Sequence, residues 1–480
     1  MKRKKLLLPI MMSALLITSC SAMATPPDDA TIQTDYYCIM TDDFSTKCEF
    51  KYKNDYFRAS PKTFDKDFAM CSYIAATNSG RRVEMEKYYN LIGFNNFHFN
   101  DVYNKGCGED TYGMFIASRD IDDFTVISVS FRSFDYTLEW VSNVTLGKEG
   151  NHEGFEYSSN NALNDFNEYI ASTYAGKNLK LWVNGFSRGG ALANMFTTKV
   201  LNGNEFGFTE DNTYCYTFEA PAGFTEENRK DYKCIWNLTN PADIVVNVPP
   251  AQYGLYRSGT DVNIYRSDFD ELFAAYMREN YGDRKDLIDG ELTAEKLIED
   301  FPKFDKKDSN EIEFLQNFLT KLLKNDDETY GLNNRAAYVD HIQNTARLAS
   351  RVLFSLSTHK KNSILYSLNM EFALDNPSEL LKLANKILDD EIDTNGKTKA
   401  SNFLYTRLSR YLDLVEIAYS EEELRSTCDF IPNLLLNIDL SAVLSIATNF
   451  QSYRRALYFH WHEASYVLLK ALEYQQPEGE

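Results

Sequence analysis

Residues 181–193 read LWVNGFSRGGALA, and this stretch decides the fold. An apolar run leads into Gly185-Phe-Ser187-Arg-Gly189, and small residues follow. The order predicts a buried strand, a tight turn and the start of a helix. Glycines at both ends of the turn let strand and helix approach closely, which lifts the serine hydroxyl above the end of the sheet. We therefore predict that Ser187 is a nucleophile.

Strand and helix patterns alternate on both sides of this turn. The segment 124–131 is β-branched and almost continuously apolar, as a buried central strand should be. Further strands are predicted at 112–118, 179–184, 214–218 and 234–238, and helices within 66–91 and at 161–174 and 191–200. This alternation indicates an α/β fold with a parallel sheet that helices cover on both faces.

The chain changes character after residue 250. Helical patterns dominate 268–450, which we interpret as an all-helical insertion or cap. Residues 25–65 form an N-terminal extension in which apolar residues show no clear periodicity. The core follows at 66–267 and resumes at 451–480. The helices predicted in the insertion are 269–277, 312–323, 336–356, 378–388, 402–418 and 434–447.

Residues 1–24 have the pattern of an export signal, with basic residues at 2–5 and a short apolar core at 6–17. The run Ile17-Thr-Ser-Cys20 resembles a bacterial lipobox, in which the cysteine receives lipid. Ala22-Met-Ala24 resembles an ordinary signal-peptidase site, but the lipobox is favoured because its cysteine directly follows the apolar core. We expect an exported protein, either secreted or held at the bacterial membrane surface by a lipid anchor on Cys20.

The net charge and the cysteine content limit the possible classes of partner and the possible redox states of the cysteines. The formal net charge of −20 argues against a nucleic-acid partner, because such binding needs a basic surface. Export permits disulfides, and Cys38–Cys48 and Cys215–Cys234 are the candidate pairs, with free buried thiols as the alternative. No spacing of cysteine and histidine indicates a metal site, and no cofactor is implied.

Four short segments, in order, resemble the class 3 lipases, the fungal-type triacylglycerol lipases of the α/β-hydrolase superfamily. They are FRSF at 131–134 followed by Trp140 and Asn143, HEGF at 152–155, the turn at 185–190, and NLTNPADIVVNVPP at 237–250. The resemblance implies an α/β-hydrolase with a mostly parallel sheet and a large helical insertion before the catalytic histidine. This chain departs from the family at Phe186, where relatives have histidine, and at Ser133, where they have glycine.

The resemblance implies Asp243 as the acid that orients the base. It lies on a loop after a predicted strand and follows the serine in the Ser…Asp…His order of α/β-hydrolases. A loop-capping aspartate beside Pro241 is the alternative role. Six histidines compete for the base. We choose His460, in the stretch HWHE at 460–463 where the family's last catalytic element falls, and place His462 second.

An oxyanion hole, the set of donors that stabilises the tetrahedral intermediate, is also implied. One donor is the backbone N–H of Arg188, the residue after the nucleophile. The second is expected from the backbone N–H of Phe134, with the Ser133 hydroxyl as a further donor. Residues 135–150 correspond to the family's lid. Its apolar side chains are Tyr136, Leu138, Trp140 and Val141. These side chains could form the lipid-facing side of a lid, or they could equally be buried in the core.

Together these features predict an exported serine esterase or lipase that hydrolyses esters of the acyl-glycerol type through an acyl-enzyme. The partner is then a lipid or another acyl ester. One alternative is an esterase for a phospholipid or a polysaccharide acyl ester, because the serine turn handles any acyl carbonyl. Another is a non-catalytic surface lipoprotein with a relic hydrolase core.

Overall fold

The computed structural model describes residues 28–38, 43–105, 108, 111–134, 138–281, 334–358, 394–414, 416–437 and 459–473. Several predictions fall outside these ranges: the export signal with Cys20, the lid residue Tyr136, and the helices at 312–323 and 378–388. The helix expected at 434–447 is described only as far as residue 437.

The described chain contains the following strands and helices. The strands are β1 Asp29–Cys38, β2 Asp43–Lys53, β3 Asn95–Phe99, β4 Met114–Ile121, β5 Phe124–Phe131, β6 Leu179–Phe186, β7 Thr213–Phe218, β8 Phe224–Thr225, β9 Ile235–Thr239, β10 Leu255–Tyr256 and β11 Thr260–Asn263. The helices are α1 Lys66–Asn78, α2 Arg82–Leu91, α3 Val102–Lys105, α4 Trp140–Asn143, α5 Glu153–Thr173, α6 Ser187–Gly203, α7 Phe269–Tyr281, α8 Arg335–His341, α9 Gln343–Thr358, α10 Thr394–Leu414, α11 Glu421–Asn437 and α12 His462–Ala471. None of these helices is long and apolar enough to cross a membrane.

A seven-stranded sheet with the order β11-β9-β7-β6-β5-β4-β3 forms the centre of the molecule. Neighbours from β11 to β5 run parallel, whereas β5, β4 and β3 pair antiparallel. Every residue of β5 is buried, as expected for a strand covered on both faces. The mostly parallel sheet of an α/β-hydrolase, predicted from the sequence, is confirmed.

The side chains of β6 alternate between two hydrophobic cores. Trp182 packs against Phe68 of α1 on one face, with ring centroids 5.3 Å apart. Leu181 and Val183 point to the other face, where α5 and α6 cover them. A shift of one residue would exchange the two sets, so this burial fixes the register of the strand. The turn that follows β6 is therefore held in place.

An antiparallel hairpin of β1 and β2 covers the first core, in the part of the chain where the sequence indicated an extension without a period. A local signal was nevertheless present and was not used, because in β2 the buried Cys48, Phe50 and Tyr52 alternate with exposed charged residues. Tyr36 stacks on Tyr466 of α12 with ring centroids 5.0 Å apart. The burial of β1 also alternates from Asp29 to Tyr36, where every second residue is the more buried one, and its last two residues are buried as well.

The described helices α8 and α9 are attached to the core at one loop. Arg335, the first residue of α8, donates hydrogen bonds to five backbone carbonyl oxygens in the loop 146–151. Tyr338 donates to the carbonyl of Val144 at 2.9 Å, and the Gln343 side chain accepts the N–H of Leu146 at 2.7 Å. Helices α8 and α9 are thus bound to the C-terminal part of the expected lid, 135–150.

Candidate active site

The turn between β6 and α6 has the geometry of a nucleophile elbow. Ser187 has a backbone φ of +54°, in the left-handed region that residues with side chains rarely adopt. A Cβ at Gly185 would lie 2.1 Å from the Gly189 carbonyl oxygen, and one at Gly189 would lie 2.6 Å from that of Phe131. Glycine alone fits at both positions, which keeps strand and helix in contact and places Ser187 at the carboxyl end of the sheet.

Gly185→Ala is expected to lower the free energy of unfolding by about 3 kcal/mol or more, because its methyl group meets backbone that α6 holds in place. Gly203→Ala, at the C-terminal end of α6, is the control, since a Cβ there meets nothing within 4 Å. Its stability should stay within about 1 kcal/mol of the wild type. Urea unfolding followed by circular dichroism measures both changes, and two equally stable variants would contradict the close approach.

Ser187, His460 and Asp243 form a continuous chain of hydrogen bonds. Ser187 Oγ lies 2.8 Å from His460 Nε2, and His460 Nδ1 lies 2.6 Å from Asp243 Oδ2. Asp243 is fully buried, and Ser187 is 8% exposed. When Nδ1–H donates to the carboxylate, Nε2 can accept the serine proton. The arrangement can therefore turn a weakly reactive hydroxyl into a nucleophile.

The loop after β9 holds Asp243 in a fixed orientation. The N–H of Asp243 donates to the carbonyl of Asn240 at 2.9 Å, which closes a turn. Asp243 Oδ1 accepts the N–H of Val245 at 2.8 Å, leaving Oδ2 to face His460. The same carboxylate thus caps its own loop and contacts the histidine, so the two roles considered from the sequence coexist.

His462, the second choice for the base, occupies a different position. Its Nδ1 donates to the carbonyl of Tyr37 at 2.8 Å. Its ring packs edge-on against Phe186 with centroids 4.4 Å apart, at the position where relatives have the elbow histidine. Burial lowers the pKa of His462 to about 3, so it stays neutral at ordinary pH. Its contacts connect the hairpin to the elbow.

The remaining described histidines also lie away from Ser187. His152 caps α5 by accepting the N–H of Phe155 at 3.4 Å, and burial lowers its pKa to about 3. His98 stacks on Tyr169 with centroids 4.3 Å apart. His341 ends α8, and His359 lies outside the described residues. The structure therefore brings His460 to the serine from among the candidates that it describes.

The segment after β5 passes beside the elbow, where the second oxyanion donor is expected. The Phe134 ring stacks on Tyr37 with centroids 3.7 Å apart and covers Gly80. The Ser133 hydroxyl donates to the carbonyl of Ala76 at 2.9 Å, which commits its proton to the end of α1. We therefore do not assign the Ser133 hydroxyl to the oxyanion hole, and Phe134 remains the candidate there.

A buried charged cluster behind the elbow was not anticipated. Arg188 is 1% exposed and donates to Ser142 Oγ at 2.9 Å. Glu139, fully buried, accepts from Arg132 at 2.6 Å and lies 3.9 Å from the Arg188 guanidinium. Buried charges persist only when paired in fixed geometry. The cluster therefore holds the start of α4 against the elbow, and arginine directly after Ser187 was its signal in the sequence.

The apolar residues of the expected lid divide between surface and core. Val141 is fully buried, Leu138 is half-buried, and Trp140 is 39% exposed. Trp140 is thus the described lid residue that offers an apolar side chain to solvent.

The cysteines that the structure describes are all buried free thiols, so neither candidate disulfide is present. They are Cys38, Cys48, Cys71, Cys215, Cys234 and Cys428. Burial raises the pKa of Cys71 to about 12, which leaves it an unreactive thiol. Within the described ranges, no group of three or more histidine, cysteine or acidic side chains is placed to hold a metal ion.

Residues 126–253 match the family described as Lipase (class 3). This segment is similar to the class 3 lipases, and the chain is a serine hydrolase of the α/β-hydrolase fold. The matched segment runs from β5 past the Asp243 loop, so it includes Ser187 and Asp243 and excludes His460. No curated protein sequence matches the chain.

Several fungal lipases are among the similar solved structures. Rhizomucor miehei triacylglyceride lipase is 19% identical over 42% of this chain and 80% of its own, with a TM-score of 0.33. Lipase II from Rhizopus niveus is 17% identical over 41% and 78%, with a TM-score of 0.31. A triacylglycerol lipase described as having a serine protease triad is 18% identical over 43% and 83%, with a TM-score of 0.34. Each similarity covers less than half of this chain.

Proposed function

We propose that the protein hydrolyses carboxylic esters of the acyl-glycerol type, with Ser187, His460 and Asp243 as its catalytic triad. The observation that supports this most directly is the chain of two short hydrogen bonds from Ser187 Oγ through His460 to Asp243. The three side chains come from the ends of β6 and β9 and from the residue two before α12. Such convergence of distant residues on one serine is the pattern of a working site.

In the proposed reaction Ser187 Oγ attacks the ester carbonyl while its proton passes to His460 Nε2. Asp243 stabilises the imidazolium that forms, because its buried carboxylate accepts a hydrogen bond from Nδ1–H throughout. His460 then gives the proton to the departing alcohol, which leaves an acyl group on Ser187. Water, activated by the same histidine, releases the acid and restores the serine.

The backbone N–H groups of Arg188 and Phe134 are the proposed oxyanion donors. The first N–H groups of a helix have no partner within the helix, and Arg188 is the second residue of α6. Phe134 lies on the segment that passes beside the elbow, and its ring is held by the Tyr37 stack. Both positions are fixed by packing, which is what stabilisation of a developing charge requires.

Aromatic side chains near the serine support an acyl substrate. The Phe186 ring lies 5.2 Å from the His460 ring, between centroids. Phe134 and Tyr37 form a stacked pair, and Phe44 lies 6.0 Å from Phe134 between ring centroids. An apolar wall of this kind suits the hydrocarbon chain of a lipid ester. The lipobox-like sequence ending in Cys20 supports export and attachment at a membrane surface, where such esters occur.

Hydrolysis of p-nitrophenyl esters from acetyl to palmitoyl tests this proposal. We expect turnover by the wild type to rise with acyl length, and Ser187→Ala to show none at any length. Turnover confined to acetyl and butyryl esters would contradict the acyl-glycerol assignment and favour a small-ester or carbohydrate esterase. No turnover by a folded sample would contradict the esterase assignment and favour the binding-protein alternative.

A further inference from the structure

A second buried acid, Glu219, lies directly beside the proposed triad. It follows β7 as Asp243 follows β9, and these neighbouring parallel strands end at the same edge of the sheet. The Glu219 side chain is fully buried, and its carboxyl lies beside that of Asp243. The class 3 lipase match and the reaction proposed above give Glu219 no role. A buried carboxyl that contacts another carboxyl needs a specific explanation.

The bonds of Glu219 connect the elements that carry two of the triad residues. Its Oε2 accepts the N–H of Asn240 at 2.9 Å, in the turn that holds Asp243. Its Oε1 accepts the hydroxyl of Ser465 at 3.2 Å, in the helix that follows His460. One side chain thus fixes the acid loop and α12 relative to each other.

The backbone at Glu219 indicates that this placement is maintained at a cost. Its φ is +47°, in the left-handed region where glycine is favoured and glutamate is strained. Residues are held in such conformations only where the surroundings determine them. The strain aims the side chain into the interior, toward Asp243, Asn240 and Ser465.

We propose that Glu219 is a positioning residue that stays protonated and donates its carboxyl proton to the Asp243 carboxylate. This inference rests on the proposed triad. Two adjacent buried carboxyls cannot both be charged at low cost, so they hold one proton between them. Asp243 accepts the Nδ1–H of His460, the ring that becomes positively charged in the proposed reaction, whereas Glu219 accepts from the uncharged Asn240 N–H and Ser465 hydroxyl. The proton therefore resides on Glu219, and its O–H keeps the Asp243 carboxylate aimed at His460.

The surroundings of Glu219 favour its neutral form. Burial, followed by the charge of Asp243, raises the pKa of Glu219 well above its usual value. Tyr73 of α1 lies close enough to Glu219 and to Glu463 of α12 to interact with both electrostatically. The pKa of the buried Tyr73 phenol is itself raised, chiefly by burial. Arg257 binds the carbonyl of the adjacent Ala220, but its charge is paired with Asp261 at 2.9 Å. These neighbours supply no unpaired cation to hold Glu219 ionised.

The pH dependence of the free energy of unfolding tests whether Glu219 is protonated, and it requires no measurement of activity. The unfolded chain releases this proton near pH 4.5, whereas the folded protein keeps it to a higher pH. Between these values the folded state binds one more proton, so its stability falls as pH rises. The unfolding equilibrium constant of the wild type should therefore rise about tenfold per pH unit relative to that of Glu219→Gln. Urea unfolding of both proteins from pH 5 to 8 measures the ratio.

The kcat values of two Glu219 variants test whether the proton on Glu219 positions Asp243. Glu219→Gln keeps a donor for Asp243, so its kcat should stay within about threefold of the wild type. Glu219→Met has a similar length but no donor, so its kcat should fall about tenfold to a hundredfold while KM is unchanged. The rates are measured with a p-nitrophenyl ester between pH 6 and 9.

Each outcome decides one of the two proposals. A pH-independent ratio of unfolding constants would show that Glu219 is ionised in the folded protein and would overturn the inference. Equal kcat in the Gln and Met variants would overturn the positioning role. If the wild type shows no Ser187-dependent turnover, the proposed function fails, and the unfolding ratio still reports whether the pair of Glu219 and Asp243 holds a proton. If Glu219→Met does not fold, the comparison of the wild type with Glu219→Gln still decides whether the two carboxyls hold a proton between them.

Discussion

Ser187→Ala is expected to lower kcat for ester hydrolysis by about 10⁴-fold or more. The reason is the geometry at the elbow, where Ser187 Oγ is the atom within hydrogen-bonding distance of His460 Nε2. Without that oxygen no acyl-enzyme forms, and oxyanion donors alone give little residual rate. The measurement is steady-state turnover of the ester on which the wild type is most active.

Loss of folding must be excluded as the cause of this effect. Ser187 has a φ of +54°, and alanine meets the same strain there as serine, so the unfolding midpoint should change little. Unchanged circular dichroism and an unchanged midpoint alongside the lost turnover would therefore assign the effect to chemistry. A kcat within tenfold of the wild type would rule out Ser187 as the nucleophile.

His460→Ala and His462→Ala should have opposite effects although the residues are two positions apart. We expect His460→Ala to lower kcat by about 10⁴-fold, because no other described histidine contacts Ser187. His462→Ala should change kcat less than about tenfold, since its ring faces Tyr37 and Phe186 instead of the serine. It should destabilise the fold by about 2 kcal/mol, because it leaves a cavity in a buried aromatic cluster.

Two measurements on each variant separate the roles. Urea unfolding gives the stability, and kcat is taken at a temperature where both variants are fully folded. A large loss of kcat in His462→Ala, with His460→Ala active, would exchange the two assignments. Equal losses in both would indicate that the cluster around Phe186 controls catalysis as a unit.

The parts of the fold that could be predicted from the sequence are those with local signals. The elbow is specified by its own glycines, whose missing side chains are required by contacts within the same turn. Strands β5 and β6 are recognisable because burial on both faces makes most of their residues apolar. Asp243 could be named because its loop combines a strand end with the spacing of a family motif. Each of these signals lies within a few residues of the feature that it predicts.

Features that depend on distant partners could not be predicted. Both strands of the β1–β2 hairpin alternate in burial and could have been recognised, but their packing against α1 and α12 could not. Arg335 resembles any surface arginine in the sequence, and only the folded chain places it against the loop 146–151. Glu219 did leave a signal that was not used: a glutamate directly follows the apolar strand β7, where a charged side chain has no exposed position.

The central claim is that Ser187 is activated by His460, and covalent labelling tests it most directly. The folded protein is incubated with a fluorophosphonate probe, and the modified residue is located by peptide mass spectrometry. We predict a single adduct on Ser187 in the wild type and none in His460→Ala measured under the same conditions. An adduct on another serine, or no adduct on a folded wild-type sample, would contradict the claim.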